Sequence, residues 1–411
     1  TDQNMVPMSS SSSVASSRTT AATKVNPVAP SIPNLATQMV LSRPLPRKQP
    51  PPLINHPRPR ALKPVDDDKV LEHLLGPFPT SSTFTAVISN YCKQGKLKKA
   101  FQVIHLMKTK FGCNPNIYTY NCLLKGLCYV GRVEEAVELL ARIKDASSEL
   151  EPDIYTYSTV MDGFCKVGRS EEAFELLEEA VSRGLVPNVV TYNTLFNGYT
   201  KEGRPLEGLW VLGLMRRSGC SPDYVSFSTL VHGLVLWGEA RAALGVYEEM
   251  GRAGFEGDER LVKGLIRRLC RASFQEADLL GDACQVFGEM RRRGFLVDHA
   301  TGSLMIVALC RGKQADGASQ ALREMVGSGC VPSLVTWNCV IRALCFGRQV
   351  GEAVLVLLLM YRLGKMPSRT TYDLLIPELN RQGMSVVARN VYAAALVRGV
   401  VPCRKPVCQC S

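Results

Sequence analysis

The sequence predicts an all-α solenoid of about nine helix-turn-helix repeats. A four-residue motif returns along the chain, as Tyr-Thr-Tyr-Asn ending at Asn121, Val-Thr-Tyr-Asn ending at Asn193 and Val-Thr-Trp-Asn ending at Asn338. A glycine three residues before a proline recurs with it, for example at Gly184 and Pro187. The steps between these glycines are multiples of 35 residues, apart from one slip of five. A fixed period of this length indicates a repeat architecture.

Nine units follow when the polar residue that ends each motif is taken as the fifth residue of its unit. Six of these units have 35 residues, and the sixth unit in the chain has five more, which we expect to lengthen its helix. The units span 81–116, 117–153, 154–188, 189–223, 224–258, 259–298, 299–333, 334–368 and 369–403.

Each unit has the pattern of two helices, as 189–223 illustrates. From Val190 onward, apolar residues recur at steps of three and four, as they do on one face of a helix. A second amphipathic run extends from Leu206 to Met215, and Gly203 separates the two runs, as a glycine at a helix end does. Because one helix pair cannot bury its own apolar face, the units must stack around a shared core.

The cysteines follow the repeat and not a disulfide or metal pattern. The tail cysteines Cys403, Cys408 and Cys410 lack a nearby fourth ligand, so we expect no metal site there. Six of the 15 cysteines occupy the twelfth position of their units, where a small apolar residue suits a helix contact. These six are Cys92, Cys128, Cys165, Cys270, Cys310 and Cys345.

Residues 1–64 differ in composition from the repeats. They hold 12 of the 24 prolines, a serine run from Ser9 to Ser13, eight Lys or Arg and one acidic residue. Such a segment cannot bury enough apolar area to offset the entropy of ordering. Its Ser and Arg content and lack of acids predict an organellar transit peptide and a Pro-rich linker, with an ordinary disordered tail as the alternative. We expect a degenerate helical cap at 65–80 and a short tail at 404–411.

The net charge of +12 is compatible with a nucleic-acid partner but does not require one. The first 64 residues contribute +7, from eight basic residues and one acid. The remainder contributes +5, from 41 basic and 36 acidic residues. The sequence also contains no run of the roughly 18 consecutive apolar residues that a membrane-spanning helix needs.

The repeats resemble the pentatricopeptide repeat family in its plain 35-residue form, which is typical of plant organelles. The resemblance covers 81–403 and depends on three features of a unit. These are Val-Thr-Tyr-Asn at the start of the first helix, Lys or Arg-x-Gly at its end, and Gly-x-x-Pro-Asn/Asp after the second helix. It implies a right-handed superhelical solenoid that binds single-stranded RNA, with one base for each repeat.

In this family, the fifth and the last residue of a unit together face the edge of one base. The alternative for each of these polar residues is a helix cap. Carried onto this sequence, the pairs are Thr85 with Asn116 for A, Asn121 with Asp153 for U, Ser158 with Asn188 for A, Asn193 with Asp223 for U, Ser228 with Asp258 for G, and Asn338 with Ser368 for C.

Three units assign no base, so the resemblance predicts the RNA 5′-AUAUGNNCN-3′. Their pairs are Lys263 with Asp298, Ser303 with Ser333, and Asp373 with Cys403.

The resemblance also implies contacts to base faces and to phosphates along one concave groove. A lysine at the end of a helix can instead complement the helix dipole. The second residue of a unit stacks on bases in the family, which here indicates Tyr118, Tyr155, Val190, Val225 and Val335. The thirteenth residue is basic at Lys93, Lys166, Lys201, Arg271, Arg311 and Arg381, which we expect to contact phosphates.

We do not expect an enzyme, a metal or a cofactor. The deaminase-like domains of some relatives need His-x-Glu and Cys-x-x-Cys motifs, and the sequence has neither. Only 404–411 follow the ninth unit, which leaves no room there for such a domain. The expected function is sequence-preferring RNA binding in organellar RNA processing, stability, splicing or translation. The alternative is a structural subunit of an organellar ribosome or a protein-interaction scaffold. We expect a mitochondrial location, with the chloroplast as the alternative.

Overall fold

The computed structural model describes residues 80–145 and 150–407, which form eighteen α-helices and no strand. The prediction of an all-α repeat solenoid is therefore confirmed. The predicted leader, nearly all of the predicted cap, and Cys408 and Cys410 lie outside the described residues. None of the described helices has both the length and the apolar character that crossing a bilayer requires.

Each unit contributes a first helix, the A helix, and a second helix, the B helix. In chain order they are α1 (Ser81–Lys93), α2 (Leu97–Thr109), α3 (Ile117–Val130), α4 (Val133–Asp145), α5 (Ile154–Val167), α6 (Ser170–Ser182), α7 (Val189–Glu202), α8 (Pro205–Arg217), α9 (Tyr224–Trp237), α10 (Ala240–Arg252), α11 (Glu259–Ala272), α12 (Leu279–Arg292), α13 (His299–Arg311), α14 (Ala315–Gly327), α15 (Leu334–Phe346), α16 (Val350–Arg362), α17 (Arg369–Arg381) and α18 (Ser385–Val397).

The A helices begin where a polar side chain caps their first turn. Asn188, for example, has an extended backbone, and its side chain accepts a hydrogen bond from the backbone N–H of Thr191. Such a cap satisfies one of the N–H groups that the first turn of a helix leaves unpaired. The same bond is made by Thr80, Asn116, Asp153, Asp223, Asp258, Asp298 and Ser333.

Except in the sixth unit, the turn that joins the A helix to the B helix contains a residue in the left-handed conformation. Glycine takes this place in the second to fifth units, where φ ranges from 78° at Gly168 to 104° at Gly238. In the seventh and eighth units Lys313 and Arg348 occupy it, each with φ of 59°. Glycine adopts this conformation without the steric cost that a Cβ atom brings.

The core lies between a layer of A helices and a layer of B helices. Each A helix packs against the A helix of the next unit, and each B helix packs against the A helices on either side of it in the chain. Aromatic side chains from the recurring motif fill this core, since Tyr157, Tyr192 and Trp337 are buried. The motif therefore marks the start of a helix and also supplies its largest buried side chain.

Glycines and cysteines meet where neighbouring A helices approach most closely. A Cβ atom added to Gly198 would lie 2.4 Å from Cys165 Sγ, and one added to Gly163 would lie 2.5 Å from Cys128 Sγ. Cysteines of the twelfth position are thus part of helix contacts, as predicted, and the described cysteines are free thiols. Burial raises the pKa of the Cys165 thiol to about 12, so this group is an inert packing element.

The expectation that the sixth unit has a lengthened helix is largely wrong. Its A helix, Glu259–Ala272, has 14 residues, as does Val189–Glu202 in the fourth unit. Four of the extra residues lengthen the turn at 273–278, and only one lengthens the B helix. An insertion within the A helix would rotate its downstream face by about 100° per residue. A surface turn absorbs extra residues at a small entropic cost.

Candidate functional site

The A helices present a row of side chains, most of them exposed or half-buried, which we call the A-helix face. It consists of the second, fifth, ninth and thirteenth residues of each A helix. At about 100° per residue, the second, ninth and thirteenth residues lie within roughly 20° of one line along the helix, and the fifth lies to one side of that line. Because consecutive A helices are adjacent, these lines stand next to each other from one unit to the next.

The second residue of every unit is exposed on this face. Tyr118 retains 70% of its surface exposed, and Val335 retains 71%. Tyr155, Val190 and Val225 are also exposed. An apolar or aromatic side chain in such a position offers a flat surface to a base, and stacking of a base on an aromatic ring contributes about 1–3 kcal/mol.

The fifth and last residues of the fourth unit are joined through a hydroxyl of the next unit. Ser226 Oγ lies 2.7 Å from Asn193 Oδ1 and 2.9 Å from Asp223 Oδ1. Asn193 Nδ2 also donates to Asp223 Oδ1 over 3.3 Å. The last residue of a unit caps the next A helix, so the third residue of that helix is placed between the two members of the pair.

Three other units join their pairs in the same way. In the first unit, Thr119 Oγ1 lies 3.0 Å from Thr85 Oγ1 and 2.9 Å from Asn116 Oδ1. The corresponding hydroxyl links Ser158 with Asn188 in the third unit and Asn338 with Ser368 in the eighth. The cap and the fifth residue therefore form one polar group across the boundary between two units.

The pairs of the second and fifth units are not joined by such a bridge. Asn121 is only 5% exposed, and its Oδ1 atom has no hydrogen-bond partner, while Asp153 caps the next helix. Ser228 donates to the backbone carbonyl of Val225 over 3.3 Å. The third residue of the sixth unit is Leu261, which has no hydroxyl to join Ser228 with Asp258.

In the sixth and ninth units, groups of the protein already occupy the paired positions. Lys263 Nζ lies 2.5 Å from Glu259 Oε1 and 3.8 Å from Asp298 Oδ2, and only 12% of its side chain is exposed. Asp373 Oδ1 accepts a hydrogen bond of 2.7 Å from the backbone N–H of Cys403. In the seventh unit, the buried Ser303 Oγ atom has no hydrogen-bond partner, and Ser333 caps the next helix.

The carboxylate of the fourth pair is stabilised in its charged form. Burial opposes ionisation, but the N–H and hydroxyl of Ser226 and the amide of Asn193 outweigh it and hold the pKa of Asp223 below its ordinary value. Asp223 is therefore an acceptor at neutral pH. A ligand group that meets this pair must supply a donor to the carboxylate.

The six predicted phosphate contacts are all exposed at the far end of the A-helix face. Lys166 forms an ion pair with Asp162 one turn earlier, and Arg381 forms one with Glu378. Arg311 stacks over the ring of Phe274 at 4.5 Å from its centroid. No side-chain ion pair within the described residues involves Lys93, Lys201 or Arg271.

Sequence reasoning missed the role of the third residue of each unit. Thr119, Thr191 and Ser226 are buried, and each lies between the two members of a predicted pair. The signal was present, because a hydroxyl residue recurs as the second letter of the four-residue motif. A recurring buried hydroxyl needs a partner for its polar group, and the partner is in the preceding unit.

Within the described ranges, no group of three or more His, Cys, Asp and Glu side chains is arranged to hold a metal ion. At the fifth and last positions of the four bridged units, the polar groups are instead amides, hydroxyls and isolated carboxylates. They offer donors and acceptors in pairs, at the spacing of the A helices. Such an arrangement suits recognition of an extended polar ligand by hydrogen bonds.

Comparison with protein-family models identifies the repeats along most of the described chain. The matches are to the PPR repeat family at 79–129, 115–166, 152–201 and 187–235, to the pentatricopeptide repeat domain at 285–347, and to the PPR repeat at 225–255 and 335–364.

Individual proteins match over shorter segments. A pentatricopeptide repeat-containing protein of Arabidopsis thaliana, named chloroplastic, is 32% identical over 69 residues, which are 17% of this chain and 12% of that protein. Another from the same plant, named mitochondrial, is 38% identical over 55 residues, which are 13% of this chain and 6% of that protein. These matches span only a small part of the relatives' length.

Among solved structures, the maize pentatricopeptide repeat protein PPR10 in complex with an 18-nt psaJ RNA element matches with a TM-score of 0.42 and 26% identity. The match covers 81% of this chain and 51% of the maize chain.

Proposed function

Because the chain belongs to the pentatricopeptide repeat family, we propose that it binds single-stranded RNA along its A-helix face and reads one base per unit. The observation that carries the proposal is the hydroxyl bridge between the fifth and last residues of a unit. It places Asn193 and Asp223 within 3.3 Å of each other, at one boundary between two A helices. Four boundaries carry such a polar group, and the distance between neighbouring boundaries gives the spacing that base-by-base recognition requires.

Two kinds of contact would hold one nucleotide. Exposed side chains at the second position, such as Tyr118 and Val190, would pack against the faces of consecutive bases. The pair of polar residues between them would bond to the edge of the base, where an amide both donates and accepts, and a carboxylate only accepts. This division of roles predicts affinity from stacking and selectivity from the polar pairs.

We propose 5′-AUAUGNNCN-3′ as the preferred RNA. The first, third, fourth and eighth letters are supported by bridged pairs, because their polar atoms are already joined by hydrogen bonds. The second letter depends on Asn121, whose side chain would have to become accessible to a base. The fifth letter depends on Ser228 and Asp258, which lack the bridge.

In cells, such a protein would occupy a stretch of an organellar transcript and block nucleases or alternative base pairing. RNA processing, stability, splicing and translation are all steps that this occupancy would affect, and the function needs no catalysis. We propose a mitochondrial location, with the chloroplast as the alternative. Relatives are named for each of the two organelles, so their names support an organellar location and do not select between mitochondrion and chloroplast.

The direct test is the affinity of the purified protein for labelled nine-nucleotide RNAs, measured by fluorescence anisotropy. We expect 5′-AUAUGACCA-3′ to bind at least tenfold more tightly than its shuffled sequence and than the same sequence as a duplex. A tenfold difference corresponds to about 1.4 kcal/mol. Equal binding of all three RNAs would contradict base reading, and no binding of any RNA would contradict the function.

Crosslinking to RNA in cells, followed by sequencing of the protected fragments, tests the role. We expect a footprint that contains the predicted letters in a small number of organellar transcripts. Co-sedimentation with ribosomal subunits that survives RNase treatment would instead indicate a structural subunit of an organellar ribosome.

A further inference from the structure

The A helix of the sixth unit carries five basic residues where the other A helices carry few. They occupy the second, fifth, ninth, tenth and thirteenth positions, and no other unit has a basic residue at more than two of these positions. In the fifth unit, for comparison, these positions hold Val225, Ser228, His232, Gly233 and Leu236. The five basic residues are Arg260, Lys263, Arg267, Arg268 and Arg271.

Two of the five are engaged within the protein. Lys263 lies between Glu259 and Asp298, towards the seventh unit. Arg268 points in the opposite direction and donates to the backbone carbonyl of Gly238 in the fifth unit. These two side chains therefore tie the sixth A helix to its neighbours, and their charges serve the fold.

The remaining three arginines stand along the central line of the A-helix face. Arg260, Arg267 and Arg271 have no side-chain hydrogen bond or ion pair among the described residues. A rise of 1.5 Å per residue separates Arg260 from Arg267 by about 10 Å and Arg267 from Arg271 by about 6 Å. The neighbouring central positions, among them Val225 and Val307, contribute no acidic side chain.

The inserted turn of the sixth unit adds a fourth arginine to this region. Phe274 lies in the turn at 273–278, and the guanidinium of Arg311 stacks 4.5 Å from the centre of its ring. Arg311 is the thirteenth residue of the seventh unit, at the position equivalent to Arg271. The insertion thus fixes a cation beside the row, and a cation fixed by stacking loses less entropy on binding an anion.

We propose that Arg260, Arg267 and Arg271 form a phosphate clamp that holds the RNA backbone at the sixth unit without reading a base. The proposal rests on the RNA-binding function proposed above and adds a binding site to it. Lys263 fills the place of the base-reading residue and is already paired, so the unit offers charge and no free polar pair. The clamp would separate the five base-reading units that precede it from the one that follows, the eighth.

A phosphate backbone fits this row better than an acidic protein does. The planar guanidinium binds a phosphate through two parallel hydrogen bonds, and arginine is favoured where phosphates are recognised. The row also continues the face on which units one to five would hold the strand. An RNA bound there would pass directly over the arginines, whereas an acidic peptide would have to compete with the RNA for the same place.

The test compares the salt dependence of RNA binding between two triple variants. In the clamp variant, Arg260, Arg267 and Arg271 are each changed to Gln. In the control variant, the exposed B-helix residues Arg252, Arg292 and Arg362 are changed to Gln, which removes the same charge from another layer. Affinity for 5′-AUAUGACCA-3′ is measured by anisotropy at several salt concentrations.

Log affinity falls as log salt rises, and we expect this fall to be shallower by about 2 in slope for the clamp variant. Each phosphate contact on a single strand contributes about 0.7 to the slope, and the variant removes three such contacts. The loss of affinity should be the same whichever of the four bases stands at the sixth nucleotide. The control variant should change the slope much less. A third variant with Lys at the three clamp positions should retain most of the slope, which separates loss of charge from loss of folding.

Three results would overturn the clamp. The first is an equal salt slope for the clamp and control variants. The second is a base preference of the wild type at the sixth nucleotide. The third is binding of polyglutamate that requires the three arginines, while RNA binding does not require them. In each of these cases wild-type RNA binding stands. Absence of RNA binding by the wild type would instead overturn the proposed function and the clamp together.

A further variant tests why the sixth unit is proposed to read no base. Lys263→Asn places an amide beside Asp298, as Asn193 stands beside Asp223. Combined with Arg260→Val, it should create a preference of several-fold for U at the sixth nucleotide and reduce the salt slope by less than the triple variant does. An unchanged lack of preference would show that Lys263 is not what keeps the unit from reading a base.

Discussion

Ser226 Oγ lies 2.7 Å from Asn193 Oδ1, and this contact joins two neighbouring repeats at the place where one base is proposed to be read. The same hydroxyl also lies 2.9 Å from the capping carboxylate of Asp223. Helix capping and base recognition are therefore not competing explanations of these polar residues. The cap positions Asp223, and the hydroxyl positions Asn193 relative to it.

The substitution Asn193→Ser should shift the preference of the fourth unit from U towards G. A hydroxyl then replaces the amide while Asp223 keeps its cap and its charge. One hydrogen bond contributes roughly 0.5–1.5 kcal/mol, so the change should be several-fold. Anisotropy with four RNAs that differ only at the fourth nucleotide measures it. The control Asn197→Ser changes the ninth residue of the same helix, which lies on the A-helix face but outside the base-reading pair. It should leave the base preference unchanged, and if both variants shift the preference alike, the assignment is wrong.

The substitution Ser226→Ala should destabilise the protein by about 1–2 kcal/mol, because it removes a buried hydroxyl and leaves Asn193 Oδ1 and Asp223 with fewer donors. Urea unfolding followed by circular dichroism measures the change. Ser221→Ala in an exposed loop is the matched control and should have little effect. Equal stabilities of the two variants would mean that the bridge contributes nothing to the fold.

The substitutions Gly198→Ala and Gly213→Ala should have opposite effects. At Gly198 the new Cβ atom would lie 2.4 Å from Cys165 Sγ and from Ser170 Oγ, and overpacking of this kind costs about 1–3 kcal/mol. At Gly213, in the B helix of the same unit, a Cβ atom meets nothing within 4 Å. Alanine there should stabilise by up to about 1 kcal/mol through helix propensity. Thermal unfolding of both variants gives the comparison, and a stabilised Gly198→Ala would contradict the packing argument.

The substitution Lys313→Gly should stabilise the turn of the seventh unit. Lys313 has φ of 59°, where a residue with a Cβ atom bears a cost of roughly 1–2 kcal/mol that exceeds the entropic cost of glycine. We expect a net gain of up to about 1 kcal/mol in thermal unfolding. Arg389→Gly, at an exposed site inside α18, should instead cost about 1 kcal/mol. A loss at both sites would show that Lys313 makes contacts worth more than its strain.

Acid should weaken the fold partly through Asp223. Its pKa is lowered in the folded state, so its contribution to stability is present above the ordinary value of about 3.9 and is lost as the pH falls through the folded value. Urea unfolding of the wild type between pH 7 and pH 3 should therefore show a steeper decline than that of Asp223→Asn. Parallel curves for the two proteins would contradict the lowered pKa.

The repeat and the start of each A helix follow from the amino-acid sequence alone. The motif that ends at Asn193 contains the helix-capping partner Thr191, the buried aromatic Tyr192 and the polar residue proposed to read a base. Local features of this kind are visible in sequence, because capping and helical periodicity act within a few residues of each other. The sequence also indicated an irregular sixth unit through its extra residues.

Which polar residues meet across the boundaries between units depends on the packing of the helices and is not visible in the sequence. The bridge from Ser226 to Asn193 joins residues 33 positions apart, and Leu261 interrupts the equivalent bridge at Ser228. Likewise, no pattern in the sequence distinguishes Lys263, which contacts two carboxylates, from Arg260 and Arg271, which form no ion pair among the described residues. These outcomes depend on how neighbouring A helices pack, since the angle and distance between two helices determine which side chains lie within hydrogen-bonding reach.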